Sequence, residues 1–160
     1  MQDRAHWTPE AVIAIAESLK KRPGPLMLIL HRIQEEFGHI PREAVPLIAS
    51  ALNLSRAEVH GVVTFYHDFK AEPPGRNVIQ LCRAESCQAV GAAALEDHAK
   101  RRLGVDFRET TADGRFTLEP VYCLGLCACS PAMMVNGTPH GKVDSRRFDA
   151  IVAALASGPQ

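Results

Sequence analysis

Hydrophobic residues recur at helical spacing in four segments between residue 7 and about residue 69. Thr8-Pro9-Glu10 is typical of the start of the first helix, with a capping hydroxyl and a proline in the first turn. Pro23-Gly24-Pro25 separates this helix from the second, and Pro41 begins the third. Ser55 and Glu58 form a capping box for the fourth. Because helices this short need each other's apolar faces, we predict a small helical bundle.

The pattern changes after Pro73-Pro74-Gly75, where short apolar runs bounded by turn residues replace the helical spacing. Strands are predicted over 78–81, 107–111, 117–122 and 132–135. Helices are predicted over 89–103 and, with Ser145 as the capping residue, through Leu155. A hairpin turn is predicted at Asp113-Gly114. The order β-α-β-β-β-α predicts a sheet with helices packed on it. We therefore predict an α+β protein with a helical bundle over residues 1–72 and a sheet domain over residues 76–160.

Composition narrows the possible functions. Apolar residues make up 46% of the 160 positions, which is typical of a globular protein. Lysine plus arginine equals aspartate plus glutamate at 18 each, so the basic excess expected of a nucleic-acid binder is absent. The apolar run over 25–30 is too short to cross a bilayer, and no apolar leader opens the chain. We expect a soluble cytoplasmic protein that binds no nucleic acid and does not insert into a membrane.

Four of the five cysteines form two closely spaced pairs. Cys82 and Cys87 are separated by four residues and Cys123 and Cys127 by three, with 35 residues between the pairs. Thiolates at short spacing, repeated at a distance, are typical of a site for a soft metal centre. Each pair follows the end of a predicted strand, so we expect the two pairs to meet at one edge of the sheet. Two disulfides fit poorly with an odd cysteine count and no leader, and a chance grouping of inert cysteines accounts poorly for the paired spacing. The spacing favours a [2Fe–2S] cluster and leaves structural zinc open as the alternative.

The two cysteine pairs, with the trailing Ser130-Pro131, resemble those of the thioredoxin-like [2Fe–2S] ferredoxins. This family includes the small iron–sulfur subunits of NADH dehydrogenases and of NAD-linked hydrogenases and formate dehydrogenases. The segments 33–41 and 61–66 are also similar to recurring segments of the family, so the resemblance covers nearly the whole chain. It implies that residues 76–160 form a thioredoxin-like domain. It also implies one [2Fe–2S] cluster, bound by Cys82, Cys87, Cys123 and Cys127.

A finer resemblance rests on the stretch 122–131, which carries the fifth cysteine, Cys129. With the short chain, it is most similar to the gamma subunit of soluble NAD-dependent formate dehydrogenases. That resemblance implies electron transfer beside a flavin- and NAD-binding subunit, and through it to a molybdenum or tungsten catalytic subunit. The equivalent subunit of an NADH:quinone oxidoreductase or NAD-linked hydrogenase, and a free-standing ferredoxin, are the alternatives.

The remaining candidate residues are expected to have more ordinary roles. No phosphate loop or nucleophile–base signature is present, so no catalytic residue is predicted in this chain. Gly125 lies inside a cysteine pair and is expected to let the backbone approach sulfur. Arg83 either raises the cluster's reduction potential or points to water. Cys129 is expected to be a small buried filler, and Phe65 and Tyr66 are expected in the core.

Overall fold

The computed structural model describes residues 6–157, and it divides the chain into two compact units between Pro73 and Pro74. The boundary lies within the Pro73-Pro74-Gly75 segment. The first unit is helical in its described part, and the second contains a five-stranded sheet. The predicted α+β class is confirmed.

In its described part, from residue 6 onward, the first unit contains four helices, and several of their ends have a clear local cause. Thr8 accepts a hydrogen bond from the Ala11 N–H at 3.2 Å, and the Ser55 side chain accepts one from the Glu58 N–H at 3.2 Å. Gly38, at φ 81°, ends the second helix in the left-handed region that favours glycine. The helices are α1 (Pro9–Leu19), α2 (Pro25–Phe37), α3 (Ala44–Leu52) and α4 (Arg56–Phe65).

Packing of the four helices on one another accounts for the stability of this unit. Val12, Ile29, Ile33, Ile48 and Val59 are fully buried in one continuous cluster. Burying one such side chain stabilises the fold by about 1.5–3 kcal/mol relative to leaving it in water. The helical bundle is therefore stabilised by the regularly spaced apolar residues from which it was predicted.

Two details of the first unit differ from the sequence prediction. The third helix begins at Ala44 and not at Pro41, because the chain first makes a turn in which the Ala44 N–H donates to the Pro41 carbonyl at 2.9 Å. The fourth helix ends at Phe65, and Tyr66 is already extended. The expected burial of these two aromatic residues is wrong: Phe65 is 73% exposed and Tyr66 is 45% exposed.

The second unit is built on a mixed sheet whose strands are β1 (Asn77–Cys82), β2 (Glu109–Thr110), β3 (Phe116–Val121), β4 (Met133–Val135) and β5 (Thr138–His140). The strand order across the sheet is β2-β3-β1-β4-β5. Its helices are α5 (Glu85–Ala89), α6 (Ala92–Leu103) and α7 (Ser145–Ala156). The sheet core contains Ile79, Leu118, Met133, Val143 and Phe148, all fully buried.

The pairing of β1 with β3 sets the position of the site. These strands are parallel, with Cys82 opposite Val121, whereas the other strand pairs are antiparallel. The carboxyl ends of parallel neighbours meet at one edge of a sheet. The segments that follow both strands therefore leave from the same edge, as the sequence predicts for the two cysteine pairs.

Three elements of this unit were not predicted correctly. The helix expected over 89–103 begins only at Ala92, after Gly91 at φ 94°, and a separate short helix that was not predicted, α5, precedes it. The turn at Asn136-Gly137 leads into a fifth strand, which the sequence did not predict. The residue that caps α7 is Asp144 and not Ser145, since the Asp144 carboxylate accepts from the Arg147 N–H at 2.7 Å.

No helix within residues 6–157 is both long enough and apolar enough to cross a membrane.

Candidate metal centre

The first cysteine pair is buried at the carboxyl end of β1. Cys82 is the last residue of the strand, where its N–H donates to the Ala132 carbonyl at 3.1 Å. Cys87 lies in the single turn of α5. The two residues are 5% and 2% exposed. Regular backbone on both sides therefore holds this pair in a defined position inside the protein.

The second pair lies on the loop that follows β3, and both of its cysteines are exposed. Cys123 has a φ of 106° and Gly125 a φ of 73°, so the backbone folds back on itself between the pair. This turn brings the Gly125 N–H to within 3.4 Å of the Cys123 sulfur, to which it donates. Cys127 begins a short 3₁₀ turn that extends to Cys129. The expectation that Gly125 lets the backbone approach sulfur is supported by this contact.

The loop places its two sulfurs at a separation that suits a shared metal. The Sγ atoms of Cys123 and Cys127 are 3.9 Å apart. With metal–sulfur bonds of about 2.3 Å, two ligands on one tetrahedral metal stand about 3.8 Å apart. The exposed pair is therefore spaced as two ligands of one metal ion would be.

The first pair lies within reach of this loop. Burial raises the pKa of the Cys82 thiol, but a hydrogen bond from the Ala84 N–H and one with the Cys87 side chain oppose this. Hydrogen bonds from the backbone N–H groups of Leu124 and Cys123 also lower the pKa, and the net result is a Cys82 pKa below its ordinary value. Backbone groups of both segments thus act on the pKa of Cys82 in the direction that favours the thiolate, the form that a metal requires.

Electrostatic coupling indicates that the four thiols share one region. The hydrogen bond between the Cys127 and Cys123 side chains, and then the charge of Cys123, raise the pKa of Cys127. The charges of Cys87 and Cys82 contribute in the same direction. Four thiolates that act on one another in this way would repel unless positive charge neutralised them. A cationic metal centre held by these residues would supply that charge.

The arrangement of the donors bears on the kind of centre. Among the described residues, no three or more His, Cys, Asp or Glu side chains are gathered as ligands of one metal ion would be. The sulfurs come instead as two pairs on two segments. An all-thiolate set of four in this arrangement fits a [2Fe–2S] cluster.

Two residues beside the site are placed differently from what the sequence suggested. Cys129 is exposed, so the prediction of a buried filler is wrong. The Arg83 side chain lies over the Phe107 ring, 5.2 Å from its centroid, and its Nε is 2.9 Å from a Glu96 carboxylate oxygen. That contact is an ion pair without hydrogen-bond alignment, since the Nε–H has no aligned acceptor. Arg83 is therefore held against α6 by this ion pair, with 36% of its side chain exposed.

The polar groups that surround the sulfurs were missed in the sequence. Ser86 and Ser130 lie on different segments, and their hydroxyl oxygens are 3.0 Å apart. The Ser130 oxygen is 3.4 Å from the Cys87 sulfur. The peptide bond between Ser130 and Pro131 is cis and leads into β4. The Ser130-Pro131 pair following Cys127 and Cys129 was the one visible signal of this arrangement.

Comparison with known proteins agrees with this site. Residues 2–156 match the family described as thioredoxin-like [2Fe-2S] ferredoxin. The chain is 39% identical over 146 residues to a subunit of the NADH-quinone oxidoreductase of Rhizobium meliloti (strain 1021), covering 91% of this chain and 87% of the relative. It is 34% identical over 142 residues to the HndA subunit of the NADP-reducing hydrogenase of Solidesulfovibrio fructosivorans, covering 89% and 83%.

The fold is also similar to that of a solved structure. A crystal structure of an NAD⁺-reducing [NiFe]-hydrogenase in the H₂-reduced state matches with a TM-score of 0.71 and 28% identity. The match covers 84% of this chain but 22% of the hydrogenase chain, so the likeness concerns one part of a longer polypeptide.

Proposed function

This chain belongs to the thioredoxin-like [2Fe–2S] ferredoxin family and carries one [2Fe–2S] cluster, and from that premise we propose that it is an electron-transfer subunit of an NAD-linked oxidoreductase complex. Bound in the site, such a cluster accepts and returns one electron at a time. The family match over residues 2–156 is the observation that carries this proposal. Two of its relatives are named as subunits of an NADH-quinone oxidoreductase and an NADP-reducing hydrogenase. The substrate chemistry would then take place on other subunits, and this chain would have no catalytic residue.

We propose that Cys82, Cys87, Cys123 and Cys127 hold the cluster. The 3.9 Å separation of the Cys123 and Cys127 sulfurs and the lowered pKa of the Cys82 thiol support this ligand set. Cys129 is left outside it, because Cys123 and Cys127 already supply the loop's pair of sulfurs. The backbone N–H groups at the site would offset the negative charge of the thiolates.

We further propose that the parent complex is a soluble cytoplasmic NAD-dependent formate dehydrogenase. The resemblance of residues 122–131, including Cys129, to the gamma subunits of those enzymes supports this parent. The partners would be a flavin- and NAD-binding subunit and, through it, a molybdenum or tungsten catalytic subunit. The similarity to NADH-quinone oxidoreductase subunits favours a second candidate, a respiratory complex of that type.

The test is to isolate the native complex and to assay three activities in parallel. We expect NAD reduction by formate, with the purified chain alone converting neither formate nor NADH. Quinone-linked NADH oxidation without formate activity would assign the chain to the second candidate. Hydrogen-dependent NAD reduction would assign it to a hydrogenase, and a protein that purifies without partners would be a free-standing ferredoxin.

The helical unit, predicted over residues 1–72, is proposed to dock the flavin-bearing subunit. At the end of α4, Phe65 is 73% exposed, and its ring lies 5.1 Å from that of Tyr66 in an edge-to-face arrangement. Exposed aromatic residues are enriched where protein partners bind, because they bury a large area with little entropy loss. These two rings are the strongest docking feature within the described part of the bundle.

This docking role can be tested in the full-length chain. We expect Phe65→Ser to weaken assembly with the flavin subunit by about tenfold or more, without loss of iron. Val90→Ser is the matched control, since Val90 is an exposed apolar residue of the other unit. Full-strength assembly by Phe65→Ser, measured by co-purification and by titration calorimetry, would contradict the docking role.

A further inference from the structure

Two serine hydroxyls connect the segments that carry the two cysteine pairs. The Ser130 oxygen lies 3.4 Å from the Cys87 sulfur and 2.9 Å from the Cys127 carbonyl oxygen. The Ser86 oxygen lies 3.0 Å from the Ser130 oxygen and 3.3 Å from the same Cys127 carbonyl. Both serines are half-buried, and Cys87 is almost completely buried. These four groups therefore share their hydrogen bonds with one another.

The number of available protons decides how the bonds are arranged. Without metal, the Cys87 thiol is the donor to the Ser130 oxygen. A thiol that binds a metal first loses its proton to solvent, so its sulfur can then only accept. Each hydroxyl has one proton and two lone pairs. The contact at 3.4 Å survives metal binding only if Ser130 directs its own proton to the Cys87 sulfur.

Ser86 makes this reorientation possible. When Ser130 donates to sulfur, it stops donating to the Cys127 carbonyl, which would then lose a partner. The Ser86 hydroxyl already lies within 3.3 Å of that carbonyl and can donate to it instead. The distances thus allow both acceptors, the sulfur and the carbonyl, to be satisfied by two protons.

We propose that Ser130 donates an O–H···S hydrogen bond to the Cys87 thiolate of the loaded protein and that Ser86 is the positioning residue that frees its proton. This inference rests on the proposed ligand set, in which Cys87 binds the cluster. A hydrogen bond to a ligand sulfur stabilises the more negative, reduced state more than the oxidised state. The pair of hydroxyls therefore raises the reduction potential of the cluster.

The local backbone allows a clean test of this hydrogen bond. Ser130 has φ −65° and ψ 151°, an extended conformation that other residues adopt readily before proline. We expect Ser130→Ala to retain the cluster and to decrease the equilibrium constant for reduction about tenfold. For a one-electron couple this corresponds to a fall of about 59 mV in the potential. The measurement is a redox titration of the purified full-length protein, followed by electron paramagnetic resonance.

Three further variants separate the hydroxyl from a merely structural effect. Ser130→Thr keeps the hydroxyl and is expected to restore the potential. Ser86→Ala leaves Ser130 shared with the carbonyl and should lower the potential in the same direction by a smaller amount. Ser157→Ala removes a hydroxyl at the end of α7, which donates to the Ala153 carbonyl and contacts no cysteine, and should change nothing.

A spectroscopic measurement gives a second, independent criterion. In the reduced wild-type protein, pulsed electron paramagnetic resonance before and after exchange into D₂O should show an exchangeable proton coupled to the cluster. Because backbone N–H protons at the sulfurs also exchange, the criterion is a difference: one exchangeable coupling of the wild type should be lost in Ser130→Ala and kept in Ser130→Thr. If Ser130→Ala loses its cluster, the threonine and Ser86→Ala variants still decide the question through their potentials and couplings.

The failure of this inference can be distinguished from the failure of the ligand set. An unchanged potential and an unchanged exchangeable coupling in Ser130→Ala with full iron content would overturn the hydroxyl's role and leave the ligands intact. Full iron content in Cys87→Ala would overturn the ligand assignment itself.

Discussion

The two cysteine pairs differ in the structure that holds them. Cys82 and Cys87 are buried at the end of a central strand and in a short helix, whereas Cys123 and Cys127 are exposed on a loop. The first pair is fixed by the same packing that stabilises the sheet. The second depends on two left-handed backbone positions, at Cys123 and Gly125. The site therefore combines a rigid half with a half whose geometry is set by local turn conformation.

The largest expected effect comes from removing ligands from either half. We expect serine substitution at Cys82, Cys87, Cys123 or Cys127 to abolish the cluster, because a hydroxyl is a hard ligand that iron–sulfur centres retain poorly. Cys129→Ser should keep it. Iron and acid-labile sulfide determination, with two of each expected per wild-type chain, measures this.

The same variants should behave differently once the metal is removed. In the buried half, Cys87→Ser replaces a buried thiol with a hydroxyl that is more costly to remove from water, and it should cost the metal-free protein about 1–3 kcal/mol. In the exposed half, Cys127→Ser should leave its stability unchanged. Urea unfolding of both proteins checks this, and equal losses would mean that the two halves are equally rigid.

Thiol accessibility should separate the halves by about tenfold or more in rate. In metal-free protein, iodoacetamide should modify Cys123 and Cys129 well before Cys82 and Cys87, since a buried thiol reacts only when the structure opens. Binding of the cluster should protect Cys123 but not Cys129. Peptide mapping by mass spectrometry measures the rates, and denatured protein, in which all five should react, is the control.

A smaller effect is expected from the loop glycine. Gly125→Ala forces a side chain into the left-handed region at a cost of about 1–2 kcal/mol and should shorten the lifetime of the cluster. Gly104→Ala is a matched control, because Gly104 has a similar φ of 70° and no atom lies near the position of an added Cβ. Gly104 differs in its location, at the end of α6 and outside the cysteine loop. Cluster loss in the presence of a chelator should be faster only in the Gly125 variant.

The smallest effect should come from the ion pairs behind the rigid half. Glu96→Gln weakens the pairs with Arg83 and Lys100, both 2.9 Å away, and should lower the melting temperature by about 3 °C. It should not change the iron content, because Glu96 is not one of the proposed ligands. A loss of iron in this variant would show that α6 supports the site directly.

The sequence predicted those features that depend on local signals. Capping residues such as Thr8 and the pair Ser55 and Glu58 located helix starts, and the cysteine pairs were correctly expected at the ends of two strands. Gly91 was not recognised as a break, because a single glycine is compatible with a continuous helix. These local patterns sufficed for the fold class and for the edge of the sheet that carries the cysteines.

The remaining features depend on contacts between distant residues. Phe65 and Tyr66 have the same helical spacing whether their side of the helix packs inside this chain or against a partner protein. The spacing therefore could not reveal that they are exposed. The contact between Ser86 and Ser130 joins positions 44 residues apart and requires the folded sheet. Local sequence preferences contain no information about a contact between residues so far apart in the chain.

The parallel pairing of β1 and β3 has a consequence for the biogenesis of this protein. The chain must complete both crossover helices before Cys123 and Cys127 can arrive beside Cys82 and Cys87. A nascent chain that ends soon after Cys87 therefore contains only two of the four proposed ligands of the cluster. In zinc fingers the metal drives folding; here we expect the polypeptide to fold first and to receive its inorganic core afterwards. Proteins that deliver the cluster would then bind a folded domain in which Cys123 and Cys127 are exposed.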